Sequence, residues 1–138
     1  MEEPPLIPAP VILDYRGDLW VFPSASDAQD WAEPVDARNG EFTAYDREGR
    51  LLSVSWDARR VYLGPGEESP EHRAALAAGL RHFLESCGDP LARQPDVPLD
   101  DLVTAASDLF MAKPRARWSG GMGALRWAQR LLGGRRRG

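Results

Sequence analysis

The chain has 138 residues with 43% apolar side chains, and its 17 basic and 21 acidic residues leave a formal net charge of −4. That is enough for one cored domain and too polar for a membrane protein. A single cysteine, Cys87, excludes an internal disulfide framework and any multi-cysteine zinc or iron–sulfur centre.

The net charge hides a split. Residues 1–110 hold all 21 acids with nine basic residues, a net of −12, whereas residues 111–138 hold eight Lys/Arg and no acid, a net of +8. The chain thus divides into an extended, proline-rich leader (1–10), an acidic body (11–112) and a basic tail (113–138). No apolar run reaches the ~18–20 residues needed to span a bilayer. The start Met1-Glu2-Glu3-Pro4-Pro5 is acidic where a signal peptide is basic, so a cytoplasmic protein is expected.

Val11 to Tyr15 reads as a strand, Arg16-Gly17-Asp18 as a turn and Leu19 to Phe22 as the returning strand. Ser24 and Ser26 offer caps for a short helix over about 26–33, with Ala28, Trp31 and Ala32 on one face and Pro34 as its stop. Asn39-Gly40 is a hairpin signal leading into a strand from Glu41 to Asp46. After the turn Asp46-Arg47-Glu48-Gly49, Leu51 to Trp56 alternates, placing Leu52, Val54 and Trp56 on a covered face and Ser53 and Ser55 on a wet one. Arg60 to Leu63 pairs next. Ser69-Pro70-Glu71 has the composition of a helix start, and that helix should run to about Cys87, with Gly88 past its end. Its apolar stripe is Leu76, Leu80, Phe83, Leu84 and Cys87, which makes Cys87 a small core residue. His72 and His82 are ten residues apart and about 80° out of line, so they form no metal pair. A second helix spans roughly Leu99 to Ala112. The expected fold is α+β: an antiparallel meander of four or five strands with two main helices on one face, plus a basic C-terminal tail with a short helix.

In that tail, residues 124–132 gather an apolar arc opposite Arg126 and Arg130, and Arg135, Arg136 and Arg137 follow. Three readings stand side by side. The tail docks on the acidic body, it is disordered, or it attaches to an anionic membrane or nucleic acid through Arg126, Trp127, Arg130, Arg135, Arg136 and Arg137. The last makes the chain an adaptor, although a −12 body repels the same polyanion within a Debye length of about 8–10 Å.

No catalytic constellation stands out. There is no Gly-x-Ser-x-Gly elbow, no His-Glu-x-x-His and no Cys with a His partner, so neither enzymatic activity, a metal nor a cofactor is expected. The acids concentrate among the strands and turns, from Asp14 to Glu48. Such a surface steers a basic partner toward it and raises the association rate. The proposed partner-binding residues are Asp27, Asp30, Trp31, Glu33 and Asp36; Trp20, Tyr45 and Trp56 are further anchors if exposed, and Trp56 is expected to be buried.

The runs Ile12-Leu13-Asp14-Tyr15-Arg16-Gly17-Asp18-Leu19-Trp20-Val21-Phe22, Ser26-Asp27-Ala28, Glu33-Pro34-Val35-Asp36 and Gly40 to Leu52 resemble small bacterial immunity-type proteins of polymorphic toxin systems. The resemblance covers about residues 11–86 and rests on strand–turn patterns. It implies a small α+β domain that inhibits a cognate toxin without catalysis, and it supplies no individual functional residue.

Overall fold

In a computed structural model the protein is described over residues 7–112. The basic tail lies outside them, and with it the expected short helix and the six candidate binding residues Arg126, Trp127, Arg130, Arg135, Arg136 and Arg137. The described part is α+β, with two antiparallel sheets and four α-helices.

Strands β1 (Val11–Tyr15) and β2 (Asp18–Phe22) form a hairpin in register Val11↔Phe22 to Tyr15↔Asp18. Arg16 and Gly17 both have positive φ, 54° and 102°, the twist a two-residue hairpin loop requires. Asp14 Oδ1 accepts the Gly17 N–H at 2.6 Å and fixes the turn. Both faces of this hairpin are buried: Val11, Ile12, Leu13, Leu19, Trp20 and Val21 are at most 2% exposed. Helix α1 (Ala25–Trp31) reaches β1 and β2, while α3 (Arg73–Ser86) and α4 (Leu99–Ala112) pack on each other and on β2.

The expected single meander is not formed. Strand β3 (Thr43–Tyr45) pairs with β1 rather than β2, giving the order β2-β1-β3, and β4 (Leu52–Trp56) with β5 (Val61–Pro65) makes a separate two-stranded sheet. One isolated bridge, Tyr45↔Leu51, joins the two. The turn between them is built on a buried carboxylate. Asp46, 1% exposed, accepts the N–H groups of Glu48 (2.8 Å) and Arg50 (3.0 Å), and its other oxygen lies 3.4 Å from the Arg50 guanidinium. Counted among the surface acids from sequence, Asp46 is instead an internal clamp.

Asn39-Gly40 is not a hairpin turn. Pro34–Arg38 forms a short helix, α2, with Asn39 as its cap and Gly40 at φ 65° just beyond. A left-handed Gly after Asn suits a helix end as well as a hairpin, and Pro34 at the first helical position starts a helix as readily as it stops one. Helix α3 begins later than Ser69-Pro70-Glu71 suggests. Its cap residue is His72, whose N–H is drawn to Gly49 O at 3.0 Å, so a tertiary contact overrides the local start signal. At the other end Asp89 N donates to Leu84 O and Gly88 N to Glu85 O, a Schellman closure that stops the helix at Ser86. Cys87 therefore leaves the apolar stripe and is exposed, contrary to its assignment to the core. The Arg81 guanidinium donates to Ala92 O and Gln94 O and holds the following 3-10 turn, Pro90–Arg93, on α3.

Gly66 closes the β4–β5 unit against the chain before β4. A methyl group there would sit 2.3 Å from Leu51 O, whereas at Gly79, inside α3, its nearest neighbours would be atoms of the Leu19 side chain, from 3.5 Å at Cδ1 outward. Gly66→Ala is expected to destabilise the protein by roughly 1–3 kcal/mol, as overpacking does. Gly79→Ala should stabilise it by up to about 1 kcal/mol through helix propensity. Urea unfolding of both variants checks the pair.

Candidate partner-binding cleft

Among the described residues the two sheets are joined by one backbone bridge, Tyr45↔Leu51, and α2 lies against β4. Beside α2 an open cleft of about 700 Å3 remains. One wall carries Glu33, Pro34, Val35 and Arg38, and the other carries Trp56, Asp57 and Ala58 at the tip of the β4–β5 hairpin.

The hairpin tip is stiffened by Asp57. One carboxylate oxygen accepts the N–H groups of Arg59 and Arg60, both at 2.8 Å, and the other accepts the Tyr62 hydroxyl at 2.7 Å. The Arg59 N–H first, then the Tyr62 hydroxyl and the Arg60 N–H, hold the Asp57 carboxyl below its usual range, and the same contact raises the Tyr62 hydroxyl. Helix α1 supports the other side of the hairpin: Gln29 Oε1 accepts the outward N–H of Leu63 on β5 at 2.8 Å, and Asp30 pairs with Arg60 at 2.9 Å.

Trp56 is the large apolar side chain exposed in this cleft, at 44%. The expectation of burial came from its parity with Leu52 and Val54. That parity holds, but β4 runs past the end of the core, and its face is covered at Leu52, partly at Val54, and open at Trp56. Tyr62, 42% exposed, lies on the opposite face of the same hairpin with Ser53 and Ser55. Trp20 and Tyr45, considered as anchors, are buried.

The proposed binding residues separate into three groups. Asp27 and Asp30 are exposed on α1, where Asp27 also closes the capping pair with Ser24, and Glu33 lines the cleft. Trp31 is partly buried, its ring within 5.5 Å of those of Tyr15, Trp20 and Phe22, so it seals the aromatic core. Asp36, 5% exposed, lies inside and is removed from the partner-facing set, because forming α2 turns it inward. Sequence reasoning missed Pro34, Val35, Arg38 and Asp57. The available signal was a tryptophan at the last position of a strand, directly before an Asp-Ala-Arg turn.

Locally the cleft is of mixed charge, since Arg38 lines it beside Glu33 and Asp57. Over residues 7–112 as a whole, nineteen acids stand against nine arginines. Among the described residues no three His, Cys, Asp or Glu side chains gather as a metal ion would need, and no helix is long and apolar enough to cross a membrane.

Two outcomes follow from this arrangement. Trp56→Ala should cost less than about 1 kcal/mol of stability, against roughly 3–5 kcal/mol for Trp20→Ala, measured by urea unfolding. Because the folded carboxyl of Asp57 is lowered, its contribution to the hairpin is complete above the ordinary carboxylate range of about 4 and is lost as pH falls through the lowered value. The NMR signal of the Trp56 indole N–H, assigned among the five tryptophans, should therefore report loosening of the tip on acidification, and Asp57→Asn should flatten that acid limb. No protein-family model, curated protein or solved structure matches the chain.

Proposed function

We propose that this is a non-enzymatic binding protein that captures a basic protein partner with the face made by α1, α2 and the β4–β5 hairpin. In its specific form it is an immunity-type protein that neutralises a cognate bacterial toxin by occluding that toxin's basic active-site or binding surface. The observation that carries the reading is Trp56, a large aromatic side chain 44% exposed at the mouth of an open cleft on an acidic body.

Magnitudes assign the roles. Covering the exposed part of a tryptophan removes on the order of 100 Å2 from water, worth about 2 kcal/mol. An exposed ion pair adds only about 0.2–1 kcal/mol. Trp56 is thus the anchor of affinity, while Asp27, Asp30 and Glu33 guide encounter and orientation. Neutralisation by occlusion needs rapid capture and slow release, and this division supplies one from charge and the other from apolar contact.

The test is capture of the partner from source cells on the immobilised full-length chain, followed by binding kinetics with the purified pair. The partner should be basic, toxic when produced alone and harmless when produced with this protein. Asp30→Lys with Glu33→Lys should slow association about tenfold at low salt, with the difference shrinking at high salt. Trp56→Ala should accelerate dissociation by about tenfold or more at either salt. A captured protein that binds both variants as it binds the wild type would remove this face from consideration.

A further inference from the structure

The register of the β4–β5 hairpin leaves one strand edge open. Asp57 N donates to Arg60 O at 3.0 Å, so hydrogen-bonded pairs alternate back along the hairpin as Ser55 with Tyr62 and Ser53 with Gly64. The N–H and C=O groups of Val54 and Trp56 therefore point away from β5. Leu63, opposite Val54, follows the same rule on the other edge, where its N–H meets Gln29 of α1. On the β4 side the neighbouring strand is β3, which comes together with β4 only through the bridge at Leu51. Beyond it, no hydrogen bond among the described residues reaches Val54 or Trp56 along this edge. The edge sequence Leu-Ser-Val-Ser-Trp contains no charge and no proline, the usual protections of an unpaired strand. Its last residue, Trp56, lines the cleft against α2.

We propose that β4 is a strand-addition site, and that its occupant is an extended, arginine-bearing segment of the basic partner. This rests on the reading of the protein as a captor of basic proteins, and it names how the partner is held. Main-chain groups of the segment pair with Val54 and Trp56, and alternate side chains turn into the cleft. A guanidinium there lies over the exposed Trp56 ring within reach of the Glu33 and Asp57 carboxylates. Charge favours a basic occupant over a second copy of the chain. A second copy pairing edge to edge would bring two acidic bodies together, each with ten more acids than bases over its described residues.

The experiment uses the full-length chain and a blocked octapeptide of alternating Arg and Val, with amide hydrogen exchange followed residue by residue. In the free chain the Val54 and Trp56 amides should exchange rapidly, while those of Ser55 and Tyr62 are protected. Adding the peptide should protect Val54 and Trp56. Methylating the peptide nitrogens at one set of alternate positions should weaken binding about tenfold or more, and methylating the other set should leave it unchanged, because only one set donates to β4. Equal affinity for the two methylated peptides, or no protection at Val54 and Trp56, would overturn strand addition while leaving partner capture through Trp56 and Glu33 standing. Protection already present in the free chain would overturn it as well. If that protection grew with protein concentration it would assign the edge to a second copy, and if independent of concentration to the chain's own residues. The peptide carries the modification, so no folding defect of a variant obscures the result.

Discussion

A buried aspartate stands at the junction of this molecule. Asp46 has lost nearly all contact with water, a cost that an ionised carboxylate recovers only through strong hydrogen bonds. The N–H groups of Glu48 and Arg50 and the Arg50 guanidinium supply them, and in doing so they fold the chain back within four residues. Three consequences are structural. Leu51 is set against Tyr45, so two sheets join at one point. Gly49, at φ 92°, takes a position so close to Arg73 that a methyl group would lie 2.7 Å from its Cα, and Gly49 O receives the His72 N–H at the head of α3. The N–H of Leu51 is turned to Glu67, whose carboxyl this contact lowers and whose other oxygen lies 2.8 Å from His72 Nδ1. One turn thus positions both sheets and the longer helix pair.

The opening of the sheets follows from the same junction. A meander continued through β3 and β4 would pair more backbone groups along these strands, although an open sheet always keeps two unpaired edges. With helices reaching β2 and the aromatic cluster of Tyr15, Trp20, Trp31 and Phe22 beneath α1, the apolar contacts of the first hairpin dominate. The second hairpin then leans on α1 through Gln29 and Asp30 rather than on β3. What remains between α2 and the hairpin tip is the cleft, so the candidate site is the space left where two locally good solutions fail to merge.

Much of this was legible from residue types. The β1–β2 hairpin, its Arg16-Gly17 turn, helix α1, helix α4 and the alternation of Leu52 to Trp56 all follow from period and turn chemistry, because each is decided within a few residues. The departures share a different cause. Asn39-Gly40 ends a helix, His72 displaces the start of α3 from Ser69, and Cys87 drops out of its stripe, each because a left-handed glycine or a tertiary hydrogen bond chose between two conformations that the local sequence permits equally. The site shows the same limit. Asp30 is exposed and Glu33 half-buried at the cleft, whereas Asp36 is turned inward by a five-residue helix between Pro34 and Asn39 that the local sequence left open. Trp56 has the parity of a core residue, and exposure depends on where the core ends, which a period-two pattern does not encode.

An unprotected strand edge on a charged protein invites a physical account. Edges are commonly defended by a lysine, a proline or a bulge on the strand itself, and β4 has none of these. The defence here is placed elsewhere. The acidic excess of the body repels the body of a second copy over a Debye length of about 8–10 Å. Repulsion of this kind is selective, since the field that keeps like molecules apart draws a basic segment inward. Mixed charge within the cleft, with Arg38 beside Glu33 and Asp57, is therefore compatible with a strongly acidic body. In the proposed capture, the long-range field selects which partner arrives, and the short-range contacts of Trp56 and the strand edge set how long it stays.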